Sequence, residues 1–324
     1  FILLFCFFYW LYFHHRHSFI FKHRNLYYAI FIIPVLQVSA FSLQIIVYEQ
    51  IKTEIPQEWL DVASTYLLQP FLLAPVLATI LFNFSIGLAL SFATSAILGS
   101  LYGYDLLPSL EALVPSVVVC YFIRNLRYRS QFVWATFLGI LTFFLVIGIH
   151  NLLSNSFSFH SYIVNVTIGT LSILLSMALA VFLFLPLFEK GLRITTNLTL
   201  IELSDFNHPA LKLISLEAPS TFHHSIMVGN LAEKAADSIG AHSLLVRVMA
   251  LYHDIGKTIK PEFFTENQKT QESLHANLSP QESASIIREH ITEAFKLASK
   301  HHLPPRIIEG IPEHHGTGLI QYFY

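Results

Sequence analysis

From Gln131 to Phe188 the chain contains no Asp, Glu, Lys or Arg. A run this long without a charge cannot lie on the surface of a water-soluble domain. A hydrocarbon layer about 30 Å thick is crossed by about 20 apolar residues in a helix. The run holds two such stretches, 131–152 and 163–188, on either side of a Ser- and Asn-rich connection. Lipid offers the backbone no hydrogen-bond partners, so segments of this kind close their bonds internally as helices. Earlier stretches at 1–13, 27–48, 66–83, 84–103 and 106–123 have the same character. With 54% hydrophobic residues, 12% charged residues and a mean hydropathy of +0.55, the composition agrees with an integral membrane protein. Pro70 and Pro75 fall in the third stretch and Pro108 and Pro115 in the fifth, where neighbouring helices can absorb the kinks. Asn83 alone separates the third stretch from the fourth, which leaves a count of five to seven.

Loop charge selects seven. Arg16, Lys22 and Arg24 follow the first stretch, Arg124, Arg127 and Arg129 the fifth, and Lys190 and Arg193 the seventh. The alternate loops carry Glu49, Glu54, Glu58 and Asp61 against Lys52, then Asp105, then no charge. All basic loops fall on the cytoplasmic side only if seven spans are crossed from an outside N-terminus. Glu111, near the outer end of the fifth stretch, is expected to snorkel to the interface, the other reading being a ligand or ion role. His14, His15, His17 and His23 stand among Arg and Lys and read as an interfacial basic loop. Cys6 and Cys120 lie in apolar runs and read as lipid-buried thiols. The net charge of −2 provides no field for a nucleic acid polymer. A transporter would rest on span number alone, since neither a long polar stripe nor an inverted repeat is evident. Phe1 stands inside an apolar run with no basic segment before it, so the first span is expected to be incomplete and not a signal peptide.

Past residue 188 the composition turns polar. A membrane-proximal connector is expected over 189–218 and a helical domain over 219–324, which makes the whole chain all-α. Pro219, Ser220 and Thr221 signal a helix start, with Ile226, Leu231, Ala235 and Ile239 expected on its buried stripe and Gly240 at its stop. A second helix is predicted over Ser243 to His253. Ser279, Pro280 and Glu282 form a capping box for a third, which carries Ile286, Ile287 and His290, and a last helix is placed near Pro304 to Pro312.

Onto these helices the sequence places His224, the pair His253-Asp254, His290, and the pair His314-His315. A helical bundle can aim such side chains into one cleft. Several neutral imidazoles with one carboxylate suit a borderline metal such as Fe, Mn or Zn better than Mg or Ca. One carboxylate can bridge two cations, and two metals about 3.5–4 Å apart can clamp both ends of a phosphoryl displacement. Lys257, four residues after His253, would project to the same side if the turn stays helical and would hold a phosphate oxygen. Gly256 keeps that stretch free of bulk. His223, His242, His275, His301 and His302 read as surface or supporting residues.

The order H…HD…H…HH resembles the HD superfamily of metal-dependent phosphohydrolases. The strings LIELSDFNHPALKLISLEAPSTFHHSIMVGNLAE, YHDIGKTIKPEFFTENQ, LSP and EHHGT are similar to the bacterial seven-transmembrane receptors with intracellular HD hydrolase, and the resemblance covers nearly the whole chain. It implies a multi-pass protein of the bacterial cytoplasmic membrane whose HD domain opens cyclic di-AMP to pApA at a dinuclear iron or manganese centre. It implies His224, His253, Asp254, His290 and His314 as ligands, with His315 adjacent, Asp254 as bridge and Lys257 on phosphate. Cyclic di-GMP or another nucleotide on the same site, or a non-catalytic nucleotide-sensing receptor, are the alternatives, and a homodimer is compatible with all of them. Three departures stand out. The family's extracytoplasmic sensory domain and its preceding span are not in this chain. A family aspartate ligand beyond the His pair is not reached before Tyr324, so both ends read as cut and turnover is expected to be weak until that segment is restored. The family's glycine-containing turn after the third ligand is replaced by REHITEAFKLASKHH, which can run on as helix.

Overall fold

The computed structural model describes residues 24–51, 69–102, 106–128, 130–153, 159–268 and 274–316. Contacts divide the chain into two units, Phe1–Ile194 and Thr195–Tyr324. Every regular element among the described residues is helical.

In the first unit the helices are α1 (Arg24–Ile51), α2 (Leu73–Leu81), α3 (Phe84–Leu101), α4 (Leu106–Ile123), α5 (Ser130–Leu153) and α6 (Phe159–Ala178). A π-helical segment, Leu179–Phe184, joins α6 to α7 (Leu185–Leu192) as one long rod. Among the described residues five rods are long and apolar enough to cross a membrane: Tyr28–Gln50, Phe84–Leu101, Leu106–Ile123, Ser130–Leu153 and Tyr162–Leu192. Their outward faces carry large apolar side chains such as Val133, Trp134, Leu152 and Phe182, as lipid contact requires. The chain is a membrane protein.

The expected count of seven spans is not reproduced among the described residues. The stretch at 1–13, with Cys6 and the cluster His14, His15, His17 and His23, lies outside them, as do the acidic loop residues Glu54, Glu58 and Asp61, and Asp105. In the stretch at 66–83 the described residues, 69–83, hold only the nine-residue α2 before the α3 cap, a rise of about 14 Å against a layer of about 30 Å. Pro70 disfavours helix at Gln69 before it, while Pro75 falls in the first turn of α2, where its missing N–H is tolerated. Side chains of neighbouring helices bond the backbone of this non-helical stretch and the start of α2. Gln37 donates through Nε2 to the Pro70 carbonyl at 3.0 Å and accepts from the Ala74 N–H at 2.9 Å. Ser172 accepts from the Gln69 N–H at 2.9 Å and Ser176 from the Leu72 N–H at 3.3 Å. Asn83 caps α3 by accepting from the Ile86 N–H. Close packing uses small residues: a methyl group on Gly169 would collide with the Phe143 ring. Cys120 is fully buried between helices, not lipid-facing.

In the second unit the helices are α8 (Asn197–Leu203), α9 (Pro209–Glu217), α10 (Pro219–Ser238), α11 (Ser243–Tyr252), α12 (Pro280–Lys300) and α13 (Pro305–Glu313). Short 3-10 turns, among them Ile255–Ile259 and Thr265–Asn267, link α11 towards α12. The core is built on α11, with Val248, Leu251 and Tyr252 buried against Leu200, Leu211, Ile214, Ala294, Ala298, Ile307 and Ile311. Residues expected in a connector, Leu200, Leu203, Ala210, Leu211 and Ile214, are thus part of this core. Tyr252 donates its hydroxyl to the Leu203 carbonyl at 2.7 Å. The capping box of Ser279 and Glu282 is present, and α12 runs unbroken to Lys300.

The stripe expected on α10 is corrected. Leu231 is 67% and Ile239 80% exposed. The buried face is Thr221, Ser225, Gly229 and Ala236. Small residues win there because α10 and α11 approach closely: a methyl group on Gly229 would stand 3.4 Å from the Arg247 carbonyl.

Candidate metal centre

α11 ends where the chemistry begins. Its last apolar turn buries Leu251 and Tyr252, and the next two residues, His253 and Asp254, are 9% and 3% exposed. The chain then tightens into the 3-10 turn Ile255–Ile259, so Lys257 does not continue an α-helix as expected. Gly256 is required for this. A methyl group there would collide with the His290 carbonyl and with the Ala294 N–H, so only glycine lets the turn press against α12. That contact brings His290, itself 3% exposed, to Asp254.

His224, His253 and Asp254 form one group of candidate ligands, and His290, His314 and His315 a second. Within each group the ligating atoms lie within 4.8 Å of one another. Asp254 faces both. Its Oδ2 is 3.0 Å from His253 Nε2, and its Oδ1 is 3.6 Å from both His290 Nε2 and His314 Nε2. His315 Nε2 is 3.1 Å from His290 Nε2. The ring centroids of His253 and His314 are 4.8 Å apart. The five histidines chosen as ligands from the sequence are therefore gathered around the carboxylate of the sixth residue, Asp254. His223, His242, His275, His301 and His302 belong to neither group; His242 caps α11, and His275 bonds the Phe263 carbonyl.

Three of the imidazoles are oriented in the same way. His253 Nδ1 bonds the Ala250 carbonyl at 2.7 Å, His290 Nδ1 that of Ile287, and His314 Nδ1 that of Ile311. Each bond reaches back three residues on the helix that carries the histidine. A proton held at Nδ1 leaves Nε2 as a lone-pair donor turned to the interior, the arrangement that metal-binding histidines use. Burial lowers the pKa of His290, His314 and His315, which favours the neutral, ligating ring. At His253 burial acts in the same direction, but the hydrogen bond and charge of Asp254 outweigh it and raise the pKa. Burial alone would raise the Asp254 carboxyl; His253 and Lys257 instead hold it well below the usual carboxylate range.

These residues fit a metal centre. Oδ1 of Asp254 is buried without a hydrogen-bond partner, although two imidazole nitrogens face it. Donors bound to one ion at about 2.1 Å stand about 3.0–3.4 Å apart, and the observed separations of 3.0–3.6 Å are of that size. A pure hydrogen-bond network would close the 3.6 Å gaps.

Two neighbours of Lys257, Glu266 and Phe264, were not singled out from the sequence. Lys257 Nζ lies 2.9 Å from Asp254 Oδ2 and 2.7 Å from Glu266 Oε1, and 5.0 Å from the Phe264 ring centroid. Glu266 also accepts from the Thr221 hydroxyl, and the Phe264 ring meets His290 edge-on. Glu266 stands nine residues after Lys257, so helical periodicity could not pair them. Its only local signal is the polar cluster Thr265-Glu266-Asn267 directly after the aromatic pair.

Residues 1–196 match the family described as 7TM receptor with intracellular HD hydrolase, and residues 221–321 match the HD domain. The chain belongs to the family of 7TM receptors with intracellular HD hydrolase. Among curated relatives, this 7TM-HD chain is 49% identical over 140 residues to the cyclic-di-AMP phosphodiesterase PgpH of Listeria monocytogenes serotype 1/2a (strain 10403S), and 44% identical over 140 residues to that of Bacillus subtilis (strain 168). Each match takes in 43% of this chain and 20% of the relative, so the chain matches about a fifth of their length. A crystal structure of the L. monocytogenes PgpH HD domain in complex with cyclic-di-AMP is 50% identical, covering 37% of this 7TM-HD chain and 56% of that one, with a TM-score of 0.36.

Proposed function

We propose that the second unit is a metal-dependent phosphodiesterase that hydrolyses cyclic di-AMP to pApA, held at the cytoplasmic face of a bacterial membrane by the first. The observation that carries this reading is the convergence of His224, His253, His290, His314 and His315 on Asp254. The substrate class follows from the identity to phosphodiesterases named for cyclic di-AMP. The orientation is supported by Arg124 and Arg127 after α4 and by Lys190 and Arg193 at the end of α7.

His224 and His253 would hold one ion and His290, His314 and His315 the other, with Asp254 between them. An imidazole-rich donor set of this kind suits iron or manganese. The metal pair, when bound, supplies Lewis acidity to the phosphodiester. The protein's own residues do the positioning. The Nδ1 bonds to Ala250, Ile287 and Ile311 prevent the rings from rotating. Lys257 places a fixed positive charge beside Asp254, where it can meet a phosphate oxygen as negative charge develops. Glu266 holds that ammonium in place.

The test is metal content and turnover on the same preparations. Full-length protein is expected to hold about two Fe or Mn ions per chain and to cleave cyclic di-AMP in preference to cyclic di-GMP. Asp254→Ala should lose both ions together. Equal or exclusive cleavage of cyclic di-GMP would overturn the substrate, and metal-free protein that still binds nucleotide would overturn the hydrolase.

A further inference from the structure

The membrane unit has a polar centre of its own. Glu111 on α4 was expected to snorkel to the interface, yet it is 3% exposed and turned into the bundle. His150 on α5 bonds its carboxylate, Nδ1 to Oε1, at 2.6 Å. Glu111 lines a cavity of about 40 Å³ together with Gln69, Tyr102 and Ser172, with Phe71 and Phe143 among the apolar walls. On this measure a water needs about 10–15 Å³. The space therefore admits a few waters or one ion, but neither a lipid chain nor a metabolite.

Three of the polar lining residues are tied to one another. The Gln69 N–H bonds Ser172 Oγ at 2.9 Å, and the Gln69 amide donates to the Tyr102 hydroxyl. Gln69 lies in the non-helical stretch 69–72 just before α2. Non-helical backbone at membrane depth is tolerated where it is buried in protein or lines a cavity, and such stretches can coordinate ions. The donors offered are a carboxylate, an amide, a phenol and an alcohol. All bring oxygen, the ligand that hard cations take. One carboxylate balances one positive charge, and among the described residues no Lys or Arg lines the cavity.

We propose that this cavity binds a single alkali-metal cation, with Glu111 as its charge partner and Gln69, Tyr102 and Ser172 as neutral oxygen donors. His150 Nδ1 lies against the carboxylate and orients it, and a bound cation would further offset the cost of a buried carboxylate at this depth.

The experiment uses the full chain in lipid nanodiscs. Thermal unfolding is followed in NaCl, KCl and choline chloride at equal ionic strength, beside binding of radiolabelled Na⁺ or Rb⁺. The expected result is saturable binding and a midpoint that is higher in Na⁺ or K⁺ than in choline. Glu111→Gln, whose amide can still accept from His150, should weaken the cation affinity about tenfold or more. Identical wild-type midpoints in the three salts with no saturable binding would overturn the site whether or not the variant folds. So would a cation dependence that survives unchanged in Glu111→Gln. Neither outcome bears on cyclic di-AMP turnover, so this site and the hydrolase stand or fall separately.

Discussion

At the scale of single residues, Lys257 carries two ion pairs at once, to Asp254 and to Glu266. If its ammonium meets the phosphate, Lys257→Gln should lower kcat about 100-fold, comparable to removing a donor that faces developing charge. Glu266→Gln only loosens the ammonium and should cost about tenfold. Steady-state kinetics on the two variants separates these roles. His208 gives a pH prediction away from the centre. It caps α9 by accepting from the Ala210 N–H at 3.3 Å, with the Tyr252 hydroxyl 3.1 Å from the same nitrogen. Burial lowers its pKa, the field of His301 adds to this, and Asp205 acts the other way. The unfolded chain therefore takes up this proton first. The stability contributed is intact above the unfolded value of about 6.5 and declines as pH falls through the window beneath it. His208→Asn can still cap the helix but does not titrate. Thermal denaturation between about pH 5 and 8 should show a shallower loss on the acid side than in the wild type.

At the scale of elements, the site depends on how closely the turn after α11 meets α12. Gly256→Ala places a methyl group against backbone atoms of His290 and Ala294, which cannot rotate away. The helix must shift, at about 1–3 kcal/mol, and it carries His290 with it. Metal content measured by mass spectrometry should fall in this variant even where circular dichroism shows the helices retained. Ser279→Ala is the matching control. It removes the capping box at the far end of the same helix, for about 1 kcal/mol, and should leave metal content unchanged. Equal metal loss in both variants would mean that general destabilisation, not helix position, controls the site.

At the scale of the whole molecule, the candidate ligands come from four separate stretches of the second unit: α10, the turn after α11, α12, and the end of α13. A metal bound there would cross-link elements that otherwise meet through apolar packing and a few polar contacts, such as Arg247 with Glu233 and Lys260 with Glu289. A ligand that binds only the folded form stabilises it by mass action, about 2.7 kcal/mol at a hundredfold excess over Kd. Chelation should therefore lower the unfolding midpoint of the second unit by several degrees, followed by calorimetry. Asp254→Ala should start from the lower midpoint and respond little to chelator.

The membrane character and the helical second unit were legible from order and composition, because charge-free runs and 3.6-residue periodicity are local properties. The candidate ligands could be picked out for a related reason: histidines recur on the helical segments and their ends, and their strings carry a family resemblance. Local pattern could not decide which way a side chain turns when two helices compete for it. Leu231 and Ile239 look like core and are exposed, while the small residues Gly229 and Ala236 lie on the buried face, Gly229 against Arg247 and Ala250 of α11. Glu111 has the sequence context of an interfacial carboxylate, yet His150, thirty-nine residues away, holds it inside. The third apolar stretch reads as a span, but its described residues are non-helical up to Leu72, and Gln37, Ser172 and Ser176 bond that backbone from other helices. Such outcomes are set by partners distant in sequence, and only the tertiary structure brings those partners together.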